Sequence, residues 1–296
     1  MENYKITIII PTFNRASIIV KTLESIAAQT FQNWKCIVVD DHSTDNTREV
    51  IDAYSKSDAR FKYILNERKK GAQGARNTGL YNCQTEWVFF FDSDNQLRTD
   101  CLKELVSCIK DTVDVVQCFS EVKDVETGTA KYFFKWYNFG NIEDRLFTGA
   151  TYVDFNHAII RRTKMLEIGG LDEDCPSMQE WDTHMRLSKI ASYNTVKKVL
   201  VDYYVGEKDA ISADKKKAIK GRLYNLEKFL PDWKQHKIGL CRFVYIYNNL
   251  ITRVKDEQFK EESLMKLDEM VAHRKLYAFF GYFINKLFAI AKHLNK

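Results

Sequence analysis

The chain has 296 residues, 45% hydrophobic and 29% charged, with a formal net charge of +5. That length suits one large domain, or one domain with an appendage, and gives ample material for a core. The mild positive charge permits anionic partners such as nucleotide phosphates or lipid headgroups, and the lack of a polybasic arm or an aromatic-basic repeat argues against nucleic acid. The seven cysteines (Cys36, Cys83, Cys101, Cys108, Cys118, Cys175, Cys241) have no CxxC spacing. They read as reduced, buried thiols of a cytoplasmic protein. Met1-Glu2-Asn3-Tyr4-Lys5 runs straight into a strand without the regions of a signal peptide. No apolar run reaches about 18 residues, so no spanning helix is expected.

Residues 6–10 form a β-branched run stopped by Pro11 and read as a buried strand. A helix follows to about Gln29, with Ile18, Leu23, Ile26 and Ala27 on its inner side. A second strand, 34–39, ends in Asp40-Asp41. Ser43-Thr44-Asp45 supplies cap chemistry for a helix over 46–57. A short strand at 61–65 and a loop and helix at 71–82 come next. Residues 86–91 form a fourth strand, an aromatic-rich run that suits burial on both faces and ends at Asp92. Thr99 caps a helix to about Ile109, and 113–118 is a fifth strand.

Strand–helix alternation with short connections predicts an α/β domain, its mainly parallel sheet covered by helices on both faces. Polar residues gather after three strand ends, at 11–15, 40–45 and 92–95, forming a ligand rim. Asp92 and Asp94 at that rim suit a divalent cation. Taken alone, Asp-x-Asp also reads as a polar turn before the next helix.

Beyond Ser120 the pattern changes. Residues 121–125 and 129–134 flank Glu126-Thr127-Gly128 as a hairpin. Residues 155–161 read as a strand, Gly169-Gly170 as a break, 178–190 as a helix and 195–201 as a strand. From about Ala213 the chain reads as helical, punctuated by Pro231 and Gly239.

Four segments carry a resemblance: Ile10-Pro11-Thr12-Phe13-Asn14-Arg15, Val38-Val39-Asp40-Asp41-His42-Ser43, Gly74-Ala75-Arg76-Asn77-Thr78-Gly79 and Asp92-Ser93-Asp94-Asn95. In motif, order and spacing they resemble the family 2 glycosyltransferases, inverting enzymes of the GT-A fold, strongly over 4–110 and more weakly to about 215. The resemblance implies a Rossmann-like catalytic domain over 1–212, with a nucleotide-binding half at 1–118 and an acceptor half at 119–212, then a helical extension at 213–296. It implies transfer of a sugar from a nucleotide donor, UDP-linked by preference, to a glycan or polyprenyl-linked acceptor in surface-polysaccharide synthesis.

Residue by residue, Pro11, Thr12 and Phe13 would sit beside the nucleotide. Asp41, next to Asp40, would accept a hydrogen bond from the base. Arg76 and Asn77, early in a helix, would favour phosphate. Asp94 would bind Mg²⁺ or Mn²⁺ directly, while Asp92 contacts ribose or a metal-bound water. His157 and His184 are the histidines of the acceptor half that a third metal ligand could come from. The segment Cys175-Pro176-Ser177-Met178-Gln179-Glu180-Trp181-Asp182 follows Gly169-Gly170-Leu171-Asp172 and resembles the Glu-Asp-Trp-Asp segment of the family. It has Gln-Glu where Glu-Asp is usual. Glu180 thereby takes the place of the catalytic base, with Asp182 as its alternate. Ala210-Ile211-Ser212 resembles a segment bordering the active site.

The same residues carry structural readings. Asp40-Asp41 can be a turn and helix cap, and Arg76-Asn77 simple loop–helix packing. Ser177-x-x-Glu180 can be a capping box, and Asp182 with Arg186 an i,i+4 ion pair. The apolar, aromatic tail at 276–291, flanked by Arg274, Lys275 and Lys292, suits a helix in the membrane interface on the inner face of the cell membrane. It equally suits one packed on its own domain or on a second subunit. Two rival functions are a degenerate GT-A domain acting as a scaffold, and a sugar-nucleotide transferase. The latter wants a Gly-rich loop with Arg and Lys after the first strand, which 11–15 does not supply.

Overall fold

A computed structural model describes residues 6–206 and 214–294. Its strands are β1 (Ile6–Thr12), β2 (Trp34–Asp40), β3 (Phe61–Leu65), β4 (Trp87–Phe90), β5 (Gln96–Leu97), β6 (Val115–Asp124), β7 (Ala130–Phe134), β8 (Ala158–Arg161) and β9 (Tyr193–Val205). The helices that follow the early strands are α1 (Ile19–Ala27), α2 (Thr47–Ser57), α3 (Ala72–Asn82) and α4 (Cys101–Ser107). Later come α5 (Glu143–Phe147), α6 (Arg162–Glu167), α7 (Gln179–Leu187), α8 (Lys215–Lys228), α9 (Leu230–Gln235), α10 (Lys237–Thr252), α11 (Glu257–Met270) and α12 (Arg274–Leu294). Ala210-Ile211-Ser212 lies outside the described residues.

Two compact units divide the chain: residues 6–141, 153–173 and 186–206 make the first, and 142–152, 174–185 and 214–294 the second. Segments 142–152 and 174–185 cluster with the C-terminal helices because their aromatic residues pack there. Phe147 lies 5.0 Å from Trp233, and Trp181 stacks on Phe243 at 5.8 Å.

The first unit is one sheet in the order β3-β2-β1-β4-β8-β6-β9-β5, with β7 on β6. The pairs β1/β2, β2/β3 and β1/β4 are parallel. They hold the strand–helix repeats that the sequence spells out. Past β4 the sheet is mixed: β8 is antiparallel to both β4 and β6, while β9 runs parallel to β6. β6 extends to Asp124, well past residue 118, because both its edges are occupied. β9 follows it from Val115 to Asp124 on one side, and β8 and then β7 pair on the other.

Alternation along β1 shows how the helices cover it. Ile6, Ile8 and Ile10 join one core with Ile19, Leu23 and Ile26 of α1, Ile51 of α2 and Leu102 and Leu105 of α4. Ile9 points the other way, where a Cβ on Gly79 of α3 would lie 2.3 Å from its Cγ2. Glycine there lets α3 sit tight on the sheet. All seven cysteines are free thiols. Burial pushes the Cys36 and Cys83 thiols up, which keeps them protonated.

In the second unit Pro231 opens α9, where its missing N–H costs nothing. A Cβ on Gly239 would come 2.2 Å from the Phe147 carbonyl oxygen, and one on Gly281 2.0 Å from that of Cys241. These two glycines let α10 approach α5, and α12 approach α10.

Candidate active site

The loops after β1 and β2 are stitched together at the carboxyl ends of their strands. The Asp41 N–H donates to the Thr12 carbonyl at 2.8 Å. Asn14, with φ of 52°, accepts from the Thr44 N–H at 2.7 Å and donates its own N–H to Ser43 Oγ at 2.9 Å. Asp40 accepts from Ser43 N–H (3.0 Å), Ser43 Oγ (2.5 Å) and the Tyr63 hydroxyl (2.9 Å), so it ties β2 to β3 and to its own turn. Burial, and then that hydrogen bond to Asp40, push the Tyr63 hydroxyl up to about 12. Asp41 is also buried and accepts from Asn66 Nδ2 (2.6 Å) and the Gly71 N–H (2.8 Å), just before α3 begins. Each carboxylate oxygen has a second lone pair, so Asp41 keeps acceptor capacity toward a ligand. Pro11 and Thr12 are buried, and Thr12 Oγ1 has no hydrogen-bond partner. Phe13 is 44% exposed, with the Lys70 ammonium 5.1 Å from its ring centre.

Asp92 sits in a second network at the end of β4. Arg76 Nη2 donates to its Oδ1 at 2.6 Å, and Asn156 Nδ2 to its Oδ2 at 2.8 Å. Asn156 Oδ1 in turn accepts the Asp92 N–H (2.8 Å) and Asn95 Nδ2 (3.1 Å), while Asn156 Nδ2 also reaches Asp154 Oδ1 at 3.0 Å. Arg76 is almost wholly buried and lies 5.1 Å from the Phe155 ring centre. Arg76 and Asn77 belong to the second turn of α3, away from its first N–H groups. Asn77 holds the segment after the double glycine: it donates to Leu171 O (2.9 Å) and Glu173 Oε1 (2.7 Å) and accepts the Leu171 N–H (2.9 Å). Arg76 thus neutralises Asp92, and Asn77 braces the 170–173 turn.

This arrangement bears on a cation. Both Asp92 oxygens accept N–H groups, from Arg76 and Asn156, and Asp94 two residues on is half-buried. His157 is buried between Phe134 (5.4 Å) and Tyr203 (6.1 Å), and its Nε2 has no hydrogen-bond partner. Burial pushes its pKa down, partly offset by Asp154 and Asp92, so the imidazole is neutral near pH 7. Among the described residues no three His, Cys, Asp or Glu side chains are grouped to hold a metal ion. Asp92 and Asp94 at the end of β4 are oxygen donors of the kind a hard cation such as Mg²⁺ takes together with substrate phosphates.

In the second unit Glu180 occupies the first turn of α7 and is half-buried. Met178, with φ of 62°, precedes that helix in a conformation few non-glycine residues adopt. Asp182 is buried and takes the Lys228 ammonium at 2.5 Å, which fastens α7 to α8. Ser177 Oγ donates to the Lys217 carbonyl at 2.9 Å, a second tie to α8. His184 is buried in α7. In the first unit Arg186 donates to the carbonyls of Ile168 (2.9 Å) and Gly170 (2.7 Å).

Two residues central to these networks, Asn66 and Asn156, carry no motif in the sequence. Asn156 shows only a local signal, its N–H bonding to Asp154 Oδ1 at 2.9 Å in a short turn. Nothing in that turn points to Asp92.

The family model described as "Glycosyl transferase family 2" matches residues 7–169. A Campylobacter jejuni protein described as a GalNAc(5)-diNAcBac-PP-undecaprenol beta-1,3-glucosyltransferase is 40% identical over 103 residues, 34% of this chain and 33% of that protein. The match therefore spans about a third of that relative's length. Staphylococcus aureus TarS 1–349, solved with UDP-GlcNAc, aligns with a TM-score of 0.66 at 17% identity, over 95% of this chain and 92% of that one. A Pyrobaculum calidifontis mannosyltransferase, solved with GDP-Man and Mn²⁺, aligns with a TM-score of 0.62 at 17% identity, over 98% and 86%. At those identities the likeness is one of fold.

Proposed function

This chain belongs to glycosyl transferase family 2, and from that we propose that it transfers a sugar, with inversion, from a UDP-sugar to a glycan on a lipid carrier in surface-polysaccharide synthesis. The observation that carries the reading is a pair of carboxylate networks at the carboxyl ends of β2 and β4, the two parallel neighbours of β1. One centres on Asp41 with Asn66 and Gly71, the other on Asp92 with Arg76 and Asn156. The UDP-GlcNAc complex of TarS supports a UDP donor, and the undecaprenol-linked acceptor named for the Campylobacter relative supports a lipid-linked glycan.

In this reading Pro11 and Thr12 line the nucleotide, the exposed Phe13 ring stacks on the base, and Asp41 accepts a base N–H. Asp92, fixed by Arg76 and Asn156, presents its remaining lone pairs to the ribose. A Mg²⁺ or Mn²⁺ ion, held by Asp94 and the donor diphosphate, would offset charge on the departing nucleoside diphosphate. Glu180 removes the proton from the acceptor hydroxyl as its oxygen attacks the anomeric carbon, and the donor C–O bond breaks on the opposite side.

A panel of UDP- and GDP-sugars assayed for nucleotide release with Mn²⁺ tests the reading. Turnover of a UDP-sugar is expected. Preference for a GDP-sugar would overturn the donor assignment, and no turnover of any donor or acceptor tried would favour the scaffold reading.

The acceptor's lipid carrier calls for a membrane surface, and α12 fits one. No described helix is long and apolar enough to cross a membrane. One side of α12 packs on α10, where Tyr282 lies 5.8 Å from Tyr245 and Phe288 lies 4.4 Å under the Arg242 guanidinium. The other side exposes Leu276, Phe279, Phe280, Phe283 and Leu287, bordered by exposed Lys275 and Lys286. The helix contains no acidic residue, so its charge complements anionic lipid. Flotation with phosphatidylglycerol vesicles is expected to recover the full chain. Phe279→Ser with Phe283→Ser should weaken recovery by about tenfold or more. Unchanged flotation would remove the membrane role, and self-association abolished by the same pair would reassign the face to a homodimer.

A further inference from the structure

The second unit holds a pocket that the steps above leave unused. Its walls include four aromatic residues, Phe147, Trp181, Trp233 and Phe243, and two arginines, Arg222 and Arg242, around a volume of about 190 Å³. Trp181 and Phe243 stack at an angle of 12°, and Trp233 lies 5.0 Å from both Phe147 and Phe243. The rings therefore brace one another as a wall.

The arginines are the unexplained part. No lining residue is acidic. Arg222 donates to Ala218 O in its own helix at 3.2 Å. Arg242 donates to Thr148 O at 2.6 Å and to Asn285 Oδ1 at 3.3 Å. Among the described residues neither has a carboxylate partner. A guanidinium is always charged and has five N–H donors, so most of these donors are not committed. Holding two such charges half-buried without a counter-ion is costly, and burial pushes both pKa values down. The placement is built rather than incidental. Gly149 has φ of 64°, and a Cβ there would meet Arg242 Nη1 at 2.8 Å, so glycine clears the space the guanidinium fills. Trp233 Nε1 is buried with no hydrogen-bond partner.

We propose that this pocket binds a sugar ring carrying an anionic group, a phosphate or a carboxylate, as part of the acceptor. Aromatic rings offer a flat apolar wall to the C–H face of a pyranose, and the two arginines offer the missing counter-charge and a forked donor geometry suited to either anion. The volume equals about six waters, room for one ring and not for an oligosaccharide. Met178, which also lines the pocket, and Trp181 flank Glu180 in the chain. The link to the acceptor rests on the reading of Glu180 as the base; the anion site itself does not.

Binding to the full chain, saturated with UDP and Mn²⁺ so that the donor site is filled, tests the proposal. Glucose 6-phosphate, glucuronate, glucose and inorganic phosphate are titrated by calorimetry and by tryptophan fluorescence. At least one anionic sugar is expected to bind about tenfold or more tightly than both glucose and inorganic phosphate, and to change the fluorescence. The two sugars decide between phosphate and carboxylate. Arg222→Gln should erase the preference, while Glu180→Gln should keep it even where turnover is lost. Equal binding of charged and neutral sugars by the wild-type protein would overturn the proposal, a result that needs no variant to fold. Anion binding unchanged in a folded Arg222→Gln protein would overturn it too.

Discussion

Glu180→Gln is expected to lower turnover by about 10²- to 10⁴-fold while leaving donor binding near the wild-type level. The amide keeps the shape of the side chain and its place in the first turn of α7, but it cannot accept the acceptor's proton. Asp182, two residues on, is expected to behave differently. It is buried and fixed to the Lys228 ammonium at 2.5 Å. Asp182→Asn removes the counter-charge from that ammonium and should cost about 2–4 kcal/mol of stability, less than a fully buried pair because Lys228 is partly exposed. The two carboxylates therefore separate by readout: kcat for Glu180, melting temperature for Asp182. Full turnover in Glu180→Gln, together with lost turnover and an unchanged melting temperature in Asp182→Asn, would move the base to Asp182.

The division between what could be read and what could not follows the range of the interactions. β1, β2 and β4 are continuous apolar runs that end at a polar residue, and their partners are other strands of the same kind. The rim they form was legible for that reason, as were Asp41 and Asp92 at its edge. The sheet beyond β4 depends on distant pairings. β5 is two residues long and exists because Leu97 meets Val201; no window of sequence around it carries that information. The same holds for α5 and α6, whose five and six residues are too short for a helical period. Arg76 shows the limit within the site. Its charge and its place in α3 suggested phosphate, but its distance of 2.6 Å to Asp92 depends on how α3 lies against β4. Asn156 is a stronger case: three of its hydrogen bonds organise residues 92–95, and none of the three leaves a trace in local pattern.

Removing Asp94 should act through the cation. In the proposed mechanism Asp94 is the direct protein ligand, and among the described residues no three His, Cys, Asp or Glu side chains are grouped to hold a metal ion, so the donor diphosphate would complete the shell. The wild-type chain should therefore bind Mn²⁺ weakly alone and far more tightly with UDP, as measured by calorimetry or by the electron-spin signal of free Mn²⁺. Asp94→Ala should abolish that UDP-dependent gain and lower transfer by about 10³-fold, the effect of losing roughly 4 kcal/mol of leaving-group stabilisation. Asp92→Asn should act chiefly on the fold. It leaves the Arg76 guanidinium, 5% exposed, without a counter-charge, so the melting temperature should fall along with activity. Tight Mn²⁺ binding without nucleotide would mean that the protein supplies a complete cage, and Asp94→Ala retaining the UDP-dependent gain would mean that the cation sits elsewhere. Either result would sink the assignment of Asp94 as the chain's direct metal ligand.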